Sequence, residues 1–311
     1  MSTLRQAAED YLAIRRSLGF KLAAEGYLLH SFVGYAEQAG ASRLTTGLAM
    51  DWAELPSGKD PVWCAKRLAV VRGFARHLQA LDPATEIPPP DLLPRRTRRA
   101  TPYLYTSREV AELMAAAARL RSPLLAATYE TLIGLLVSTG MRVGEAIRLD
   151  RADIDWDDGV LTIVAGKSGR WREVPLHPDT TAALGQYARR REVLCPAPRA
   201  ASFFFSSAGT RLVPACVRRT FGGLVRAAGL CPRSARCRPR IHDFRHRFAV
   251  LTLLEWYRAD VDVQARLPLL SAYLGHVDPT STYWYLEATP ELLALAAARQ
   301  ERVLHGLGGT A

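Results

Sequence analysis

The chain has 311 residues, 49% hydrophobic and 23% charged, and at about 150 residues per domain this length predicts two globular domains and excludes a disordered chain. Its 41 basic and 30 acidic side chains give a formal charge of +11, which indicates a polyanionic partner such as nucleic acid or an anionic membrane surface. No stretch approaches about 18 uninterrupted apolar residues, and the five cysteines include no C-x-x-C pair, so we expect a cytoplasmic protein without a membrane span, a disulfide framework or a zinc ribbon.

The first 81 residues predict helices and no strand. Apolar residues recur there at three- and four-residue spacings over 4–18, 22–39, 48–55 and 61–81. We therefore predict an all-helical N-terminal domain over residues 1–88.

A proline- and arginine-rich stretch, residues 89–102, follows this domain. Its prolines prevent a continuous helix, and it contains a cluster of four arginines, Arg95, Arg96, Arg98 and Arg99. We interpret the stretch as a linker whose arginines bind DNA phosphates, and a solvated surface loop is the alternative.

Residues 103–311 predict a second domain that is mostly helical and has one small sheet. Helical patterns cover 106–120, 123–139, 143–149, 178–194, 214–228, 241–257, 267–274 and 290–305, and a further short helix contains Tyr285. Between 154 and 176, short apolar runs are broken by Asp158-Gly159 and by a Gly-Lys-Ser-Gly turn. These breaks predict an antiparallel meander of three strands.

Four separated segments of the second domain carry polar residues that a core does not need. In the first, Arg142 follows a glycine that can end a helix, and Glu145 lies one turn further on. A guanidinium there can bind two phosphate oxygens while Glu145 holds neighbouring groups in place. The alternative is an ordinary surface ion pair at i, i+3 spacing.

The second segment is the turn that contains Lys167, the only lysine after residue 66. A hairpin tip can carry an ammonium group into a DNA groove beside a leaving oxygen, and a lysine can donate its proton there. An idle, exposed lysine is the alternative. A nucleotide-binding P-loop is excluded, because Leu161 stands where its motif requires the first glycine.

The third segment contains His242 and Arg245 and follows an arginine- and proline-rich stretch, residues 229–240. At helical spacing the two side chains share a face and can present an imidazole and a guanidinium to one phosphate. A zinc site formed with nearby cysteines is the alternative, but the spacings depart from those of zinc ligands, and we predict no metal.

The fourth segment joins a glycine that can end a helix to His276 and then to two tyrosines, Tyr283 and Tyr285. The tyrosines lie two residues apart, about 200° around a helix, so only one of them can face a site. A helical tyrosine is more often a packing residue, and this segment alone does not predict an enzyme.

Together and in this order, the four segments resemble the tyrosine recombinases of the phage integrase type. The T-G-x-R-x-x-E motif of that family matches Arg142, and its hairpin lysine matches Lys167. Its H-x-x-R motif matches His242 and Arg245, and its L-G-H motif matches His276. The resemblance covers most of the chain.

The same resemblance assigns a nucleophile and the roles of the domains. The nucleophilic tyrosine of the family commonly follows the last motif histidine by nine residues, which indicates Tyr285 and leaves Tyr283 as the alternative. Residues 1–88 resemble the helical, SAM-like core-binding domain that clamps DNA, and 103–311 resemble the catalytic domain. The sequence around the two tyrosines further resembles mobile-element integrases and transposases.

The resemblance implies a site-specific recombinase or integrase that acts on double-stranded DNA. The Tyr285 oxygen would attack a DNA phosphorus, form a 3′-phosphotyrosyl link and free a 5′-hydroxyl. A second strand's 5′-hydroxyl would then reverse the step. No metal, ATP or other cofactor is required, because the covalent link retains the energy of the phosphodiester.

The remaining motif residues receive roles from the same resemblance. Arg142 and Arg245 would neutralise charge on the non-bridging phosphate oxygens, and His276 would add a hydrogen bond. His242 would manage the tyrosine proton, and Lys167 would protonate the departing 5′-oxygen.

The family also implies a homotetramer on DNA, a nucleoid-associated location and a place for accessory recombination proteins. Residues 290–305 are apolar enough either to dock on a neighbouring protomer or to pack on their own domain. Two other functions stay open: a nicking and closing enzyme similar to type IB topoisomerases, and a DNA-binding protein without catalysis. The stretch 229–240 and Pro268 are features that the family motifs do not predict.

Overall fold

The computed structural model describes residues 3–55, 60–94, 100–164, 171–276 and 291–298. The chain divides into two units, residues 1–100 and 101–311. None of the described helices is both long and apolar enough to cross a membrane.

The first unit contains four described helices, as the apolar spacing predicts. They are α1 (Leu4–Ser17), α2 (Ala23–Gln38), α3 (Thr46–Glu54) and α4 (Pro61–Gln79). Side chains before three of them accept a hydrogen bond from a backbone N–H of the first turn: Thr3, Thr45 and Asp60. The apolar faces meet in one core that includes Leu29, Phe32, Trp52 and Phe74.

Two arginines of α4 are buried in this first unit, where each holds backbone carbonyls. Arg67 donates from Nη2 to the carbonyl of Trp52 over 2.5 Å, and its guanidinium lies 3.8 Å from the centre of that indole ring. Arg72 donates to the carbonyls of Pro88 and Pro89, over 2.6 Å each. The bonds of Arg72 fix the chain that follows α4, and the bond of Arg67 connects α4 to α3.

The second unit is mostly helical and contains one three-stranded sheet. Its helices are α5 (Ser107–Ala118), α6 (Pro123–Thr139), α7 (Val143–Arg148), α8 (Pro178–Leu194), α9 (Pro214–Ala227), α10 (Asp243–Arg258) and α11 (Val263–Leu274). Residues 291–298 are also helical. The apolar helix α6 contacts α5, α8 and α10, so it forms the centre of this unit.

The sheet has the antiparallel order β1-β2-β3, as the turn signals predict. Its strands are β1 (Ile154–Asp155), β2 (Val160–Val164) and β3 (Trp171–Pro175). Leu161 pairs with Val174, and both are buried. The predicted fold class, mainly helical with a small antiparallel sheet, is therefore confirmed.

Helix α11 differs from the prediction at its start. The sequence predicts a helix from residue 267, but the helix begins one turn earlier, because Asp262 caps it by accepting a hydrogen bond from Ala265 N over 3.1 Å. Pro268 consequently lies inside the helix. A proline there removes one backbone hydrogen bond, and the rest of the helix continues to Leu274.

The described C-terminal residues pack on their own unit. Leu292 is buried in a cluster that includes residues of α10 and α11, and Arg258 of α10 forms an ion pair with Glu291 over 2.5 Å. Of the two alternatives for this segment, packing within the chain is the one found for residues 291–298.

Candidate phosphate-binding site

Arg142 is positioned by a sharp change of chain direction between α6 and α7. Helix α6 ends at Gly140, which has a positive φ of 61°, and a Cβ at this position would lie 2.6 Å from the ring of Phe248. Only glycine fits this conformation and this close approach. Arg142 then caps α7, with 40% of its side chain exposed.

Glu145 lies beneath Arg142 and is shared by two arginines. Its carboxylate accepts hydrogen bonds from Arg142 N and Nη1 over 2.9 Å each, and from Arg172 Nη1 and Nη2 over 3.2 and 2.8 Å. Burial alone raises the pKa of this carboxyl, but these bonds more than offset it and hold the pKa below its usual value. Because only 3% of the Glu145 side chain is exposed, the alternative of an ordinary surface ion pair is wrong.

Three arginines from three different elements bind three consecutive carbonyls at the end of α11. Arg172 Nε donates to the carbonyl of residue 273 over 2.8 Å, and Arg245 Nη2 to that of residue 274 over 2.7 Å. Arg142 Nη2 donates to the carbonyl of residue 275 over 3.0 Å. The last carbonyls of a helix lack intrahelical partners and form the negative end of its dipole, so cations are stabilising there.

Gly275 permits this arrangement. Its φ is 68°, and a Cβ would lie 2.7 Å from Nη1 of Arg172. The same glycine therefore ends α11 in the left-handed conformation and leaves room for a guanidinium.

Arg245 connects the ends of two helices from within the core. Only 2% of the residue is exposed, and its Nη1 donates to the carbonyl of Gly140 over 3.1 Å while Nη2 reaches α11. Its positive charge is therefore buried directly below the end of α11.

His276 follows directly after the carbonyls that the arginines bind. Burial lowers the pKa of its imidazole to about 4, and the positive charges of Arg245, Arg142 and Arg172 and the proximity of His242 lower it in the same direction. The imidazole is therefore neutral at neutral pH. These influences also show that Arg142, His242, Arg245 and His276 surround one place.

His242 is exposed at the start of α10, beside a buried carboxylate. Its ring centre lies 5.1 Å from that of His246. The next residue, Asp243, is fully buried and binds the Arg240 guanidinium through both oxygens, over 3.0 and 2.8 Å. Burial nevertheless raises the pKa of Asp243 above its usual value, with Arg240 opposing this effect.

The described part of the chain contains no group of three histidine, cysteine or acidic side chains that is able to hold a metal ion. Cys237, one of the cysteines near the predicted zinc alternative, is buried and donates to the carbonyl of Pro102 over 3.5 Å.

Some predicted site residues lie outside the described residues. They are Lys167, Tyr283, Tyr285 and the linker arginines Arg95, Arg96, Arg98 and Arg99. The strands on either side of the Lys167 turn are described, and β3 carries Arg172 into the site.

Arg172 is the site residue that sequence reasoning misses. A signal for it exists in the alternation of β3, since Arg172 lies two residues before the buried Val174 and therefore on the inward face of the strand. An inward-facing arginine in a half-buried strand requires an anionic or carbonyl partner.

Comparisons with known proteins identify the family of this chain. A sequence model of the Phage integrase family matches residues 104–291. An integrase/recombinase of Sinorhizobium fredii, y4rB, is 44% identical over 97% of this chain and 98% of its own length. The tyrosine recombinase XerD of Caulobacter vibrioides is 28% identical over 76% of this chain and 74% of its own.

A solved structure shares the fold. The crystal structure of a lambda integrase tetramer bound to a Holliday junction matches with a TM-score of 0.63 and 19% identity, covering 91% of this chain and 77% of that one. The motif residues, the family match over more than half of the chain and the relative at 44% identity lead to one conclusion: this chain belongs to the phage integrase family and is a tyrosine-type site-specific recombinase.

Proposed function

We propose that the arginines and histidines at the end of α11 bind the DNA phosphate at which this recombinase exchanges strands. The observation that carries the proposal is the convergence of Arg142, Arg172 and Arg245 on carbonyls 273–275, directly before His276. Arg142 and Arg172 share the carboxylate of Glu145, and Arg245 adds a third guanidinium that binds backbone carbonyls. The site therefore has an excess of positive charge that a phosphate diester would neutralise.

Each side chain has a role that follows from its exposure. Arg142 is the more exposed arginine and presents its guanidinium to the non-bridging oxygens, while the buried Arg245 contributes its charge from below. His276 is neutral and donates a hydrogen bond to the same phosphate. Charge that develops on the oxygens in the transition state is stabilised by donors that are already in position.

The covalent step uses residues that the sequence assigns. The Tyr285 oxygen attacks phosphorus, the bond to the 5′-oxygen breaks, and Lys167 donates the proton that this oxygen takes up. A free tyrosine has a pKa of about 10 and needs a base. His242, exposed at the start of α10, accepts the tyrosine proton. The reverse reaction with another strand's 5′-hydroxyl completes the exchange.

The three parts of the chain divide DNA binding and catalysis between them. Residues 1–88 form the core-binding clamp, 89–102 form a linker whose four arginines bind phosphates, and 103–311 form the catalytic domain. Four protomers act together, by analogy with the lambda integrase tetramer on a Holliday junction.

Trapping the covalent intermediate tests the proposed function. Wild type, Tyr285→Phe and the control Tyr283→Phe are incubated with a nicked suicide duplex that carries sequence from the flanks of the gene, with a chelator present. We expect a covalent protein–DNA species on a denaturing gel for wild type and Tyr283→Phe, and none for Tyr285→Phe, because only that variant lacks the nucleophilic oxygen.

Other outcomes contradict parts of the proposal. An adduct that persists in Tyr285→Phe and disappears in Tyr283→Phe reassigns the nucleophile. If wild type binds DNA but forms no adduct on these duplexes or on random genomic fragments, the chain is a DNA-binding protein without catalysis.

A further inference from the structure

The arginine-rich stretch before His242 forms an ordered turn. In this arginine turn, residues 233–240, Arg233 N donates to the carbonyl of Cys237 over 2.9 Å, and Cys237 N donates to Ser234 Oγ over 3.1 Å. The segment is therefore closed by hydrogen bonds between its own residues, although the family motifs do not predict it.

The first and last arginines of the turn anchor it to the second unit. Arg233 lies over the ring of Tyr103 at 4.3 Å, donates to the carbonyl of Leu104 over 2.9 Å and pairs with Glu109 over 3.3 Å. Arg240 is bound by the fully buried carboxylate of Asp243. Both ends of the turn are thus held by charged contacts.

The two middle arginines, Arg236 and Arg238, have a different environment. Both are exposed, and no acidic side chain pairs with either among the described residues. Arg238 Nε donates to the carbonyl of Ala235 over 3.2 Å. Exposed guanidiniums without an acidic partner create a positive potential that attracts an external anion.

The position of the turn in the chain indicates that this anion is a phosphate of the bound DNA. Arg238 precedes His242 by four residues, so their Cα atoms are at most about 14 Å apart. One strand of DNA rises about 3.4 Å per nucleotide. Arg238 therefore lies within about four nucleotides of any phosphate that His242 reaches, and Arg236, six residues before His242, lies within about six.

We propose that Arg236 and Arg238 bind DNA backbone phosphates next to the one that reacts. This inference rests on the proposed function, which brings DNA to His242. Arginine suits the contact because its planar fork binds phosphate oxygens in pairs. The contact adds affinity and register and takes no part in the chemical step.

The salt dependence of DNA binding tests the proposal. Binding of a fluorescent duplex of random sequence is measured over a series of KCl concentrations for the full chain and for Arg236→Ala/Arg238→Ala. Each lost phosphate contact lowers the slope of log K against log salt by about 0.9, so the double variant is expected to lose roughly 2. Arg236→Lys/Arg238→Lys keeps both charges and is expected to keep most of the slope.

The matched control is Arg119→Ala/Arg121→Ala. These two exposed arginines lie between α5 and α6. They follow the end of α5 that is remote from Glu109, and ten residues at 1.5 Å place Arg119 about 15 Å along the helix axis from that anchor of the turn. The control removes the same charge and is expected to leave the slope unchanged. An equal loss of slope in both variants, or none in Arg236→Ala/Arg238→Ala, overturns the proposal.

Adduct formation on the suicide duplex separates this inference from the proposed function. At saturating protein, Arg236→Ala/Arg238→Ala is expected to form the Tyr285 adduct at the wild-type rate. A slower rate at saturation assigns the two arginines to the chemical step and overturns the proposed positioning. Absence of the adduct in wild type refutes the proposed function, while the salt slopes still decide whether the arginine turn binds DNA.

Discussion

The two units of the chain bury arginines in different ways. In the first unit, Arg67 and Arg72 bind carbonyls of two separate segments, the end of α3 and the chain after α4. In the second unit, Arg142, Arg172 and Arg245 bind neighbouring carbonyls at the end of one helix. Guanidiniums are therefore bonded to carbonyls in both units, and among these arginines three converge on one helix end in the second unit, where Arg142 is also partly exposed.

This difference separates an arginine that stabilises a fold from one that prepares an anion site. A single guanidinium on a carbonyl fixes a loop and is screened by the groups around it. Several guanidiniums around one point create a positive potential that lowers the pKa of His276 and favours a bound anion. The distinguishing feature is the convergence of the charges, since burial is common to both units.

Substitution of Arg142 is expected to have the largest effect. Arg142→Ala removes a preorganised donor from the proposed phosphate site, and we expect the cleavage rate at saturating protein to fall about 10²- to 10³-fold. Stability is expected to fall by only about 1 kcal/mol, since 40% of the side chain is exposed. Single-turnover cleavage of the suicide duplex and denaturant unfolding measure the two quantities.

Arg67→Met in the first unit is the matched control for that experiment. It removes a buried guanidinium and keeps an apolar side chain over Trp52, so we expect a loss of about 1–3 kcal/mol of stability and an unchanged cleavage rate at saturation. Equal losses of rate in the two variants would contradict the distinction between the units.

Arg172 both stabilises the fold, through the buried Glu145, and belongs to the guanidiniums that converge at the end of α11. In Arg172→Ala, the buried Glu145 keeps Arg142 as a partner and loses two hydrogen bonds. We expect a loss of roughly 2–3 kcal/mol of stability, less than for a buried carboxylate left without any partner. Arg172→Lys keeps the positive charge but lacks the planar guanidinium, and it is expected to recover only part of the lost stability.

A double-mutant cycle with Glu145→Gln isolates the ion pair. Because Glu145→Gln already removes the negative charge, adding Arg172→Ala is expected to cost less than in the wild-type background, as measured by denaturant unfolding. Additive losses would show that Arg172 acts only through the carbonyl of Tyr273.

The sequence predicts local features of this fold well, since they depend on neighbouring residues. Capping residues locate most helix starts, and the turns around Gly159 and Lys167 predict the pairing of β2 with β3. The predicted start of α11 is one turn too late. Proline is typical of the first turn of a helix, so Pro268 favours a start at residue 267, whereas Asp262 is the residue that caps the helix. The motif residues, including Arg142 and His276, are predicted because the resemblance to the family supplies their spacing.

The contacts that complete the site are not local and could not be predicted. The three arginines reach the end of α11 across sequence separations of 133, 101 and 29 residues. No periodicity in the sequence connects Arg172 to Tyr273 or to Glu145. The inward face of β3 can be read from alternation, but the partner of its arginine depends on how β3 packs against α7 and α11.

The smallest expected effect is a pH dependence of stability that arises from the burial of His276 and from the charges that converge beside it in the second unit. The pKa of His276 is about 4 in the folded chain and 6.5 for the unperturbed group, so the unfolded chain binds the proton first as the pH falls. Stability is therefore expected to decrease between about pH 6.5 and pH 4, by about 1–2 kcal/mol once solvent screening of this half-buried group is considered. His276→Gln is expected to remove this component from urea unfolding measured across that range. An unchanged pH slope in the variant would show that neither burial nor the guanidiniums lower the pKa of His276 in the folded chain. A bound phosphate diester offsets the charge of the three guanidiniums and therefore raises the pKa of His276. We expect wild type to take up a proton when it binds DNA at pH 5.5, and His276→Gln not to do so. The dependence of the binding enthalpy on the buffer measures this proton uptake.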